Sequence, residues 1–128
     1  MEYEKAASNL KEESKPPFLI VKTKIGKEKR KSNIGFLVTL KAKQGKEKEA
    51  AEFVASAVTL AKQEVNTLRW YAFQIDESTL GVFDTFENED GRQEHLHGKI
   101  AAALFSDKAK ELFEGEPSIQ KTKILSNK

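Results

Sequence analysis

The alternation of apolar and polar positions divides the C-terminal three quarters of the chain into strands and helices. Residues 34–43 are apolar on both sides in the middle, which is typical of a strand with both faces covered. From Lys46 to about Glu64 the period changes to that of a helix, with charges opposite an alanine-rich apolar stripe. The stripe consists of Ala50, Phe53, Val54, Ala57, Val58 and Ala61.

A hairpin and a second helical region follow. Residues 68–75 and 79–86 are rich in aromatic and β-branched side chains and flank a short polar loop, so they predict paired strands. Asn88 is a natural N-cap for the next helix, whose first turn is acidic. That helix places Leu96, Ile100, Ala103 and Leu104 on one face, and a short helical piece at 107–115 and a last strand at 118–125 complete the chain.

The resulting order, β-α-β-β-α-β, predicts an α+β ferredoxin-like fold with two helices on one face of an antiparallel sheet. The other face is also apolar, because Leu37, Tyr71, Phe73 and Ile75 alternate with the residues turned to the helices. Scattered apolar surface residues are ordinary. We nevertheless expect a second copy of the chain to cover this face, which predicts a homodimer with an α/β-barrel arrangement.

Charge separates the chain into two parts. The 128 residues make one ordinary domain and carry a net charge of +2, too balanced for nucleic-acid binding by the whole chain. Residues 1–33 carry a net charge of +4 and residues 34–128 a net charge of −2. We therefore predict a basic, largely flexible extension over 1–33 and a domain over 34–128.

The extension holds one apolar run and one basic run. Phe18–Val21 is β-prone and predicts an edge strand that continues to Ile25. The basic stretch at 27–32 reads as a solvated linker rather than a nucleic-acid or membrane patch, because no aromatic residue interleaves its charges. The first residues lack the pattern of a secretory signal, and no apolar run is long enough for a bilayer, so a cytoplasmic protein is expected.

Four segments together resemble the antibiotic biosynthesis monooxygenase-like family, over about residues 34–127. They are Trp70–Asp76, Gly81–Phe86, Gly91–Leu96 and Ala101–Leu104. The resemblance implies a dimeric α/β-barrel with a pocket between sheet and helices in each subunit. It also implies oxidation of electron-rich phenols or hydroquinones by O₂ without a cofactor. A haem-degrading branch of the fold uses a later helix histidine, and Phe105 lies near that place here, which disfavours haem.

Three polar residues are candidates for catalysis. His95, the helix histidine that the resemblance carries over, would be the base, because its ordinary pKa lies near neutrality. Arg92 precedes it by three residues and would hold an anion by a forked hydrogen bond, or else pair with Glu89. Asp84 lies in an apolar strand and needs a partner, so it would orient Arg92 or His95, or anchor the strand to the helix. Each also has an ordinary structural role open to it.

Aromatic residues of the second strand are candidates for substrate binding. Trp70 would donate its indole N–H to a bound oxygen or stack on a ring, unless it is simply core. Tyr71 and Phe73 point to the opposite face, so they would share a pocket with Trp70 only if the strand were bulged. His95 and His97 diverge on a helix, and cysteine is absent, so no metal is expected.

The resemblance thus implies a cofactor-independent monooxygenase acting on a quinol or phenolic molecule. Two alternatives stay open at this point. The same pocket would serve a non-catalytic or stress-related binding protein, and the basic segment at 22–31 would serve an interaction protein.

Overall fold

A computed structural model describes residues 30–128 of the chain, and the strand predicted at Phe18–Val21 and most of the basic extension lie outside them. Within the described part the elements run in the predicted order. The strands are β1 (Ile34–Lys41), β2 (Arg69–Gln74), β3 (Thr79–Phe86) and β4 (Ser118–Lys123). The helices are α1 (Glu47–Ser56), α2 (Val58–Ala61), α3 (Glu89–Leu96), α4 (Lys99–Leu104) and α5 (Asp107–Leu112).

The four strands form one antiparallel sheet in the order β2-β3-β1-β4. This arrangement confirms the predicted α+β ferredoxin-like fold. The helices cover the face that carries the core, where alternate residues of β1 and β3 are buried. The largest members of that core are Phe36, Val38, Leu40, Val54, Leu80, Val82, Phe86, Leu112 and Phe113.

The first predicted helix is interrupted at Ala57, so the expectation of one helix from Lys46 to Glu64 was wrong. Ser56 donates its hydroxyl to the main-chain oxygen of Phe53 at 2.8 Å, the acceptor that the next turn of helix would use. The Ala57 N–H instead contacts the oxygen of Val54, three residues back. The chain therefore turns between α1 and α2.

The helix after Asn88 is also two helices. Asn88 caps α3 as predicted, because its side chain accepts a hydrogen bond from the Gly91 N–H at 3.1 Å. At Gly98 the backbone becomes extended and starts α4. A β-carbon at Gly98 would lie 2.9 Å from Oε2 of Glu64, so this glycine also leaves room for that carboxylate.

The face of the sheet opposite the helices carries the other set of apolar residues. Tyr71 is 55% exposed, Ile75 is 58% exposed and Phe73 is 39% exposed. Phe73 lies over Gly81, where a β-carbon would come 2.4 Å from its ring. The described chain is a single copy, so the homodimer stays a prediction.

The close strand spacing at Gly35 gives a stability prediction. A β-carbon there would lie 2.4 Å from the main-chain oxygen of Asp84, which the sheet holds in place. Gly35→Ala should therefore lower the free energy of unfolding by about 1–3 kcal/mol, measured by urea unfolding. The control is Gly91→Ala, where the nearest atom would be 3.4 Å away and a helix position favours alanine. Equal stability of the Gly35 variant and the wild type would contradict the account.

The exposed aromatic face gives a prediction about assembly. We expect sedimentation at micromolar concentration to show a dimer, and Phe73→Lys to shift it to monomer because a charge would be buried in the interface. Phe105→Lys changes a residue that is 48% exposed after α4 and should leave the dimer intact. A monomeric wild type would refute the prediction.

Candidate functional site

The candidate site forms where β2 and β3 lie side by side under the helices. Trp70 and Asp84 are register partners in the β2–β3 pair, so their side chains are neighbours on the helix-covered face. Phe36 is the register partner of Asp84 on β1. The alternation of residues along the strands, together with the pairing of β2 with β3, therefore brings a carboxylate and an indole together.

Asp84 is almost completely buried, with 1% of its surface exposed. Its Oδ2 lies 3.1 Å from Nε2 of His95 on α3. The N–H is poorly aligned with the carboxylate, so neither oxygen of Asp84 accepts a well-formed hydrogen bond from the described residues. His95 is the partner that Asp84 was predicted to need. The two form an ion pair, but the carboxylate oxygens can still accept hydrogen bonds.

The other ring nitrogen of His95 meets a second carboxylate. Nδ1 lies 2.6 Å from Oε1 of Glu64, which follows α2 and is 20% exposed at its side chain. Thr67 donates its hydroxyl to the same carboxylate oxygen at 2.7 Å. With a carboxylate at each ring nitrogen, the positively charged imidazolium, which carries an N–H on both nitrogens, is the form that both contacts favour.

The surroundings of His95 act on its pKa in opposite directions. Burial of the ring lowers the pKa, because the charged form loses its hydration, but the contacts with Asp84 and then Glu64 raise it by more. The net result is a pKa above the ordinary value of 6.5. The site therefore favours the charged histidine.

A cavity of about 190 Å³ lies beside these groups. Its floor is the sheet and its other walls come from α1, α2 and α4 and the turn between α1 and α2. The lining is apolar except for Ser56 and one end, where Asp84, His95 and Trp70 meet. The indole Nε1 of Trp70 is buried and has no acceptor among the described residues. The remaining lining residues are Val38, Phe53, Val54, Ala57, Leu60, Val82, Ile100, Ala103 and Leu104.

Arg92 is buried but does not line this cavity. Its guanidinium contacts Glu89, as the sequence allowed, and donates to the main-chain oxygen of Gly35 at 3.1 Å. It also lies over the ring of Phe36, 5.4 Å from the centroid. Arg92 is thus turned to the β1–β4 side of the sheet, and the structure does not bring it to Asp84.

Tyr71 and Phe73 do not line the cavity with Trp70 either. β2 pairs regularly with β3, without a bulge, so alternate residues stay on opposite faces. Of the three aromatic residues predicted to bind substrate, the structure brings Trp70 alone to the cavity. His97 also lies apart, with Nδ1 at 2.8 Å from the main-chain oxygen of Gln93.

Glu64 is the site residue that the sequence reasoning missed. A carboxylate at the end of a helix opposes the helix dipole, so an acid there is disfavoured unless it has a partner. The position of Glu64 at the end of the predicted helix was therefore the feature of the sequence that could have identified it as a site residue.

No group of three or more ligating side chains that could hold a metal ion occurs in residues 30–128. The two carboxylates beside His95 approach opposite nitrogens of its ring, so the three groups do not converge on one point. No helix of the described part is long and apolar enough to span a bilayer.

Comparison with known proteins identifies a relative of the chain among solved structures. No protein-family model and no curated protein matches it. A solved structure of a protein of unknown function from Nitrosomonas europaea is 44% identical, with a TM-score of 0.72 over 76% of this chain and 93% of that one. At this identity and coverage the two share a family.

Two further structures are named as candidate antibiotic biosynthesis monooxygenases. The one from Caulobacter crescentus is 20% identical, with a TM-score of 0.62 over 74% of this chain and 92% of that one. The one from Nitrosomonas europaea is 12% identical, with a TM-score of 0.64 over 73% of this chain and 99% of that one. The chain therefore has the fold that the resemblance to the antibiotic biosynthesis monooxygenase-like family implied. At these identities the two likenesses show the fold and carry no activity to this chain.

The raised pKa of His95 predicts how stability depends on pH. A group whose pKa is higher in the folded state stabilises the fold fully below its unfolded pKa of about 6.5, and that stabilisation is lost as pH rises through the folded pKa. The free energy of unfolding should therefore fall as pH rises above about 6.5. His95→Gln should remove this component, because glutamine does not titrate.

The measurement is urea unfolding of both proteins from about pH 6 to 9, where few other groups titrate. The difference between the two stability curves isolates the contribution of His95. Parallel stability curves for the two proteins would contradict a raised pKa at His95.

Proposed function

We propose that the chain is a cofactor-independent monooxygenase that oxidises a phenolic or quinol molecule in the cavity beside Asp84. One observation carries the proposal: Asp84 and Trp70 line the same apolar cavity, and within the described chain the Trp70 N–H has no acceptor and Asp84, although ion-paired with His95, accepts no well-formed hydrogen bond. Buried polar atoms without hydrogen bonds are costly, and a phenolic hydroxyl would satisfy both at once. The names of the two similar monooxygenase structures agree with this class of reaction.

The geometry suggests a division of roles between Asp84 and His95. Both nitrogens of His95 face carboxylates, so we assign the acceptance of the phenolic proton to Asp84. The O–H bond of the substrate breaks, an O–H bond forms on the carboxylate, and the electron pair stays on the phenolate oxygen. His95 then serves to hold Asp84 and to provide positive charge beside the developing anion.

The transfer leaves the net charge of the site unchanged. With His95 protonated and both carboxylates ionised, the three groups carry a net charge of −1. A proton accepted at Asp84 moves that negative charge to the phenolate oxygen, where His95 is the positive group beside it. The N–H of Trp70 would hold the phenolate oxygen in place.

The remaining chemistry takes place between the phenolate and O₂. A phenol with a free ring carbon opposite its hydroxyl reacts with one O₂ to give a quinone and one water. One oxygen atom enters the ring, and the other leaves as water with the hydroxyl proton and the ring proton. The apolar walls would keep bulk water from the electron-rich intermediate.

Oxygen uptake tests the proposal. With a panel of phenols and hydroquinones, the wild-type protein should consume O₂. Asp84→Asn should lower kcat by about 10²-fold or more, because it removes the proton acceptor. Trp70→Phe keeps an aromatic ring but removes the donor, and should lower activity by about tenfold.

The control is Glu111→Gln, which neutralises a carboxylate whose side chain is 68% exposed on α5 and should leave uptake unchanged. Circular dichroism of each variant would confirm that it is folded. Uptake unaffected by Asp84→Asn would refute the assigned role. Binding of a phenol without O₂ consumption would favour a non-catalytic binding protein.

A further inference from the structure

We propose that the cavity selects a neutral phenol with a single aromatic ring, and rejects both two-ring phenols and aromatic carboxylates. The inference rests on the proposed function for the choice of a phenol, but it concerns binding and not turnover. It follows from the volume of the cavity, the nature of its walls and the charge at its polar end.

The cavity is partly open to solvent, and its volume limits the part of a ligand that it can enclose. An apolar cavity of about 150 Å³ is large enough to bind benzene, so the 190 Å³ here accommodates one ring with a small substituent. A second fused ring adds roughly half the volume of the first. Such a ligand would have to displace the side chains that wall the cavity or leave part of its second ring outside, so it would not gain the burial of a full second ring.

Side chains from three helices set this limit. Phe53 from α1, Leu60 from α2 and Leu104 from α4 line the cavity, while Val38 and Val82 form its floor on the sheet. Each of the three helix residues is half-buried. Shortening one of them should therefore enlarge the cavity without removing a fully buried part of the core.

The polar end fixes which functional group binds. Asp84 offers acceptor oxygens, and the neighbouring Trp70 offers a donor. A neutral hydroxyl group both donates and accepts, so it matches this pair with one oxygen atom. An ether or a hydrocarbon would leave at least one of the two unsatisfied.

Charge then distinguishes a phenol from an aromatic acid. The titratable groups around this end are His95 from α3, Glu64 from the segment after α2 and Asp84 from β3, and with His95 protonated and both carboxylates ionised they carry a net charge of −1. A benzoate has no hydrogen to donate to Asp84 and would bring a second negative charge beside it. The charge of Arg92 does not compensate it, because the guanidinium is turned toward β1 and β4, where it donates to the main-chain oxygen of Gly35.

The test is calorimetric titration of the full chain at pH 7 with phenol, 2-naphthol and benzoate. Phenol should bind at least about tenfold more tightly than either of the others, the cost of one unpaired buried group or one displaced side chain. The comparison with 2-naphthol is decisive, because a merely apolar surface would bind the larger ring more tightly. Binding of 2-naphthol or benzoate as tight as that of phenol would overturn the proposal, as would absence of phenol binding.

Two variants separate the size limit from the charge limit. Leu104→Ala should improve 2-naphthol binding relative to phenol by about tenfold, with Leu60→Ala as a second variant should the first not fold. Leu125→Ala changes a residue that is 89% exposed and should leave the affinity for both ligands unchanged. Asp84→Asn should reduce the ratio of the dissociation constants of benzoate and phenol by about tenfold, while Glu111→Gln should leave that ratio unchanged.

The two proposals fail in different ways. Selective phenol binding without O₂ uptake would refute the monooxygenase function and leave the selectivity intact. Uptake with two-ring substrates as efficient as with one-ring substrates would refute the selectivity and leave the function intact. Unchanged ligand ratios in both Leu104→Ala and Leu60→Ala would also overturn the size limit.

Discussion

The burial of one carboxylate, that of Asp84, is the constraint on which the rest of the site depends. An ionised group without water is costly unless a charge of opposite sign lies beside it, and His95 is that charge. His95 in turn is held by Glu64 on its other nitrogen. This chain of contacts joins β3, α3 and the segment after α2, so the electrostatic demand of a single strand residue fixes how the helices meet the sheet.

The same chain of contacts leaves hydrogen-bonding groups free to contact a ligand. His95 neutralises the charge of Asp84 without filling its acceptor positions, and the adjacent indole N–H of Trp70 is likewise unused within the described chain. Structural ion pairs usually saturate their partners. The unsaturated groups here border a cavity with apolar walls, a combination that indicates a ligand rather than a strand anchor.

The alternation of residues along β2 explains both what the sequence could predict and where it misled. It separates Trp70 from Tyr71 and Phe73, so the expectation that they would share a pocket only in a bulged strand followed directly from the period. The order of the elements along the chain and the unusual position of Asp84 in an apolar strand could also be predicted, because both depend on local pattern. The placement of side chains in the tertiary structure could not be predicted in this way. Arg92 and His95 lie on one side of the helix, as their spacing requires, but their polar atoms contact different parts of the sheet.

The remaining differences arise at helix ends, where a single hydrogen bond decides the path. The hydroxyl of Ser56 ends α1, and the extended backbone at Gly98 divides α3 from α4. Both breaks shape the site, since the first precedes α2 and Glu64 and the second leaves space for that carboxylate. Periodicity over a window of a dozen residues does not resolve such breaks, which is why Glu64 escaped the sequence reasoning.

The most direct measurement uses the single tryptophan of the chain, whose indole N–H gives one assignable nitrogen–proton signal in an NMR spectrum. The account predicts that phenol shifts this signal to the position of a hydrogen-bonded indole, and that benzene, which fills the same cavity without an oxygen, does not. An indole signal that stays unchanged while phenol saturates the protein would contradict the claim that Trp70 and Asp84 form the polar end of a ligand site.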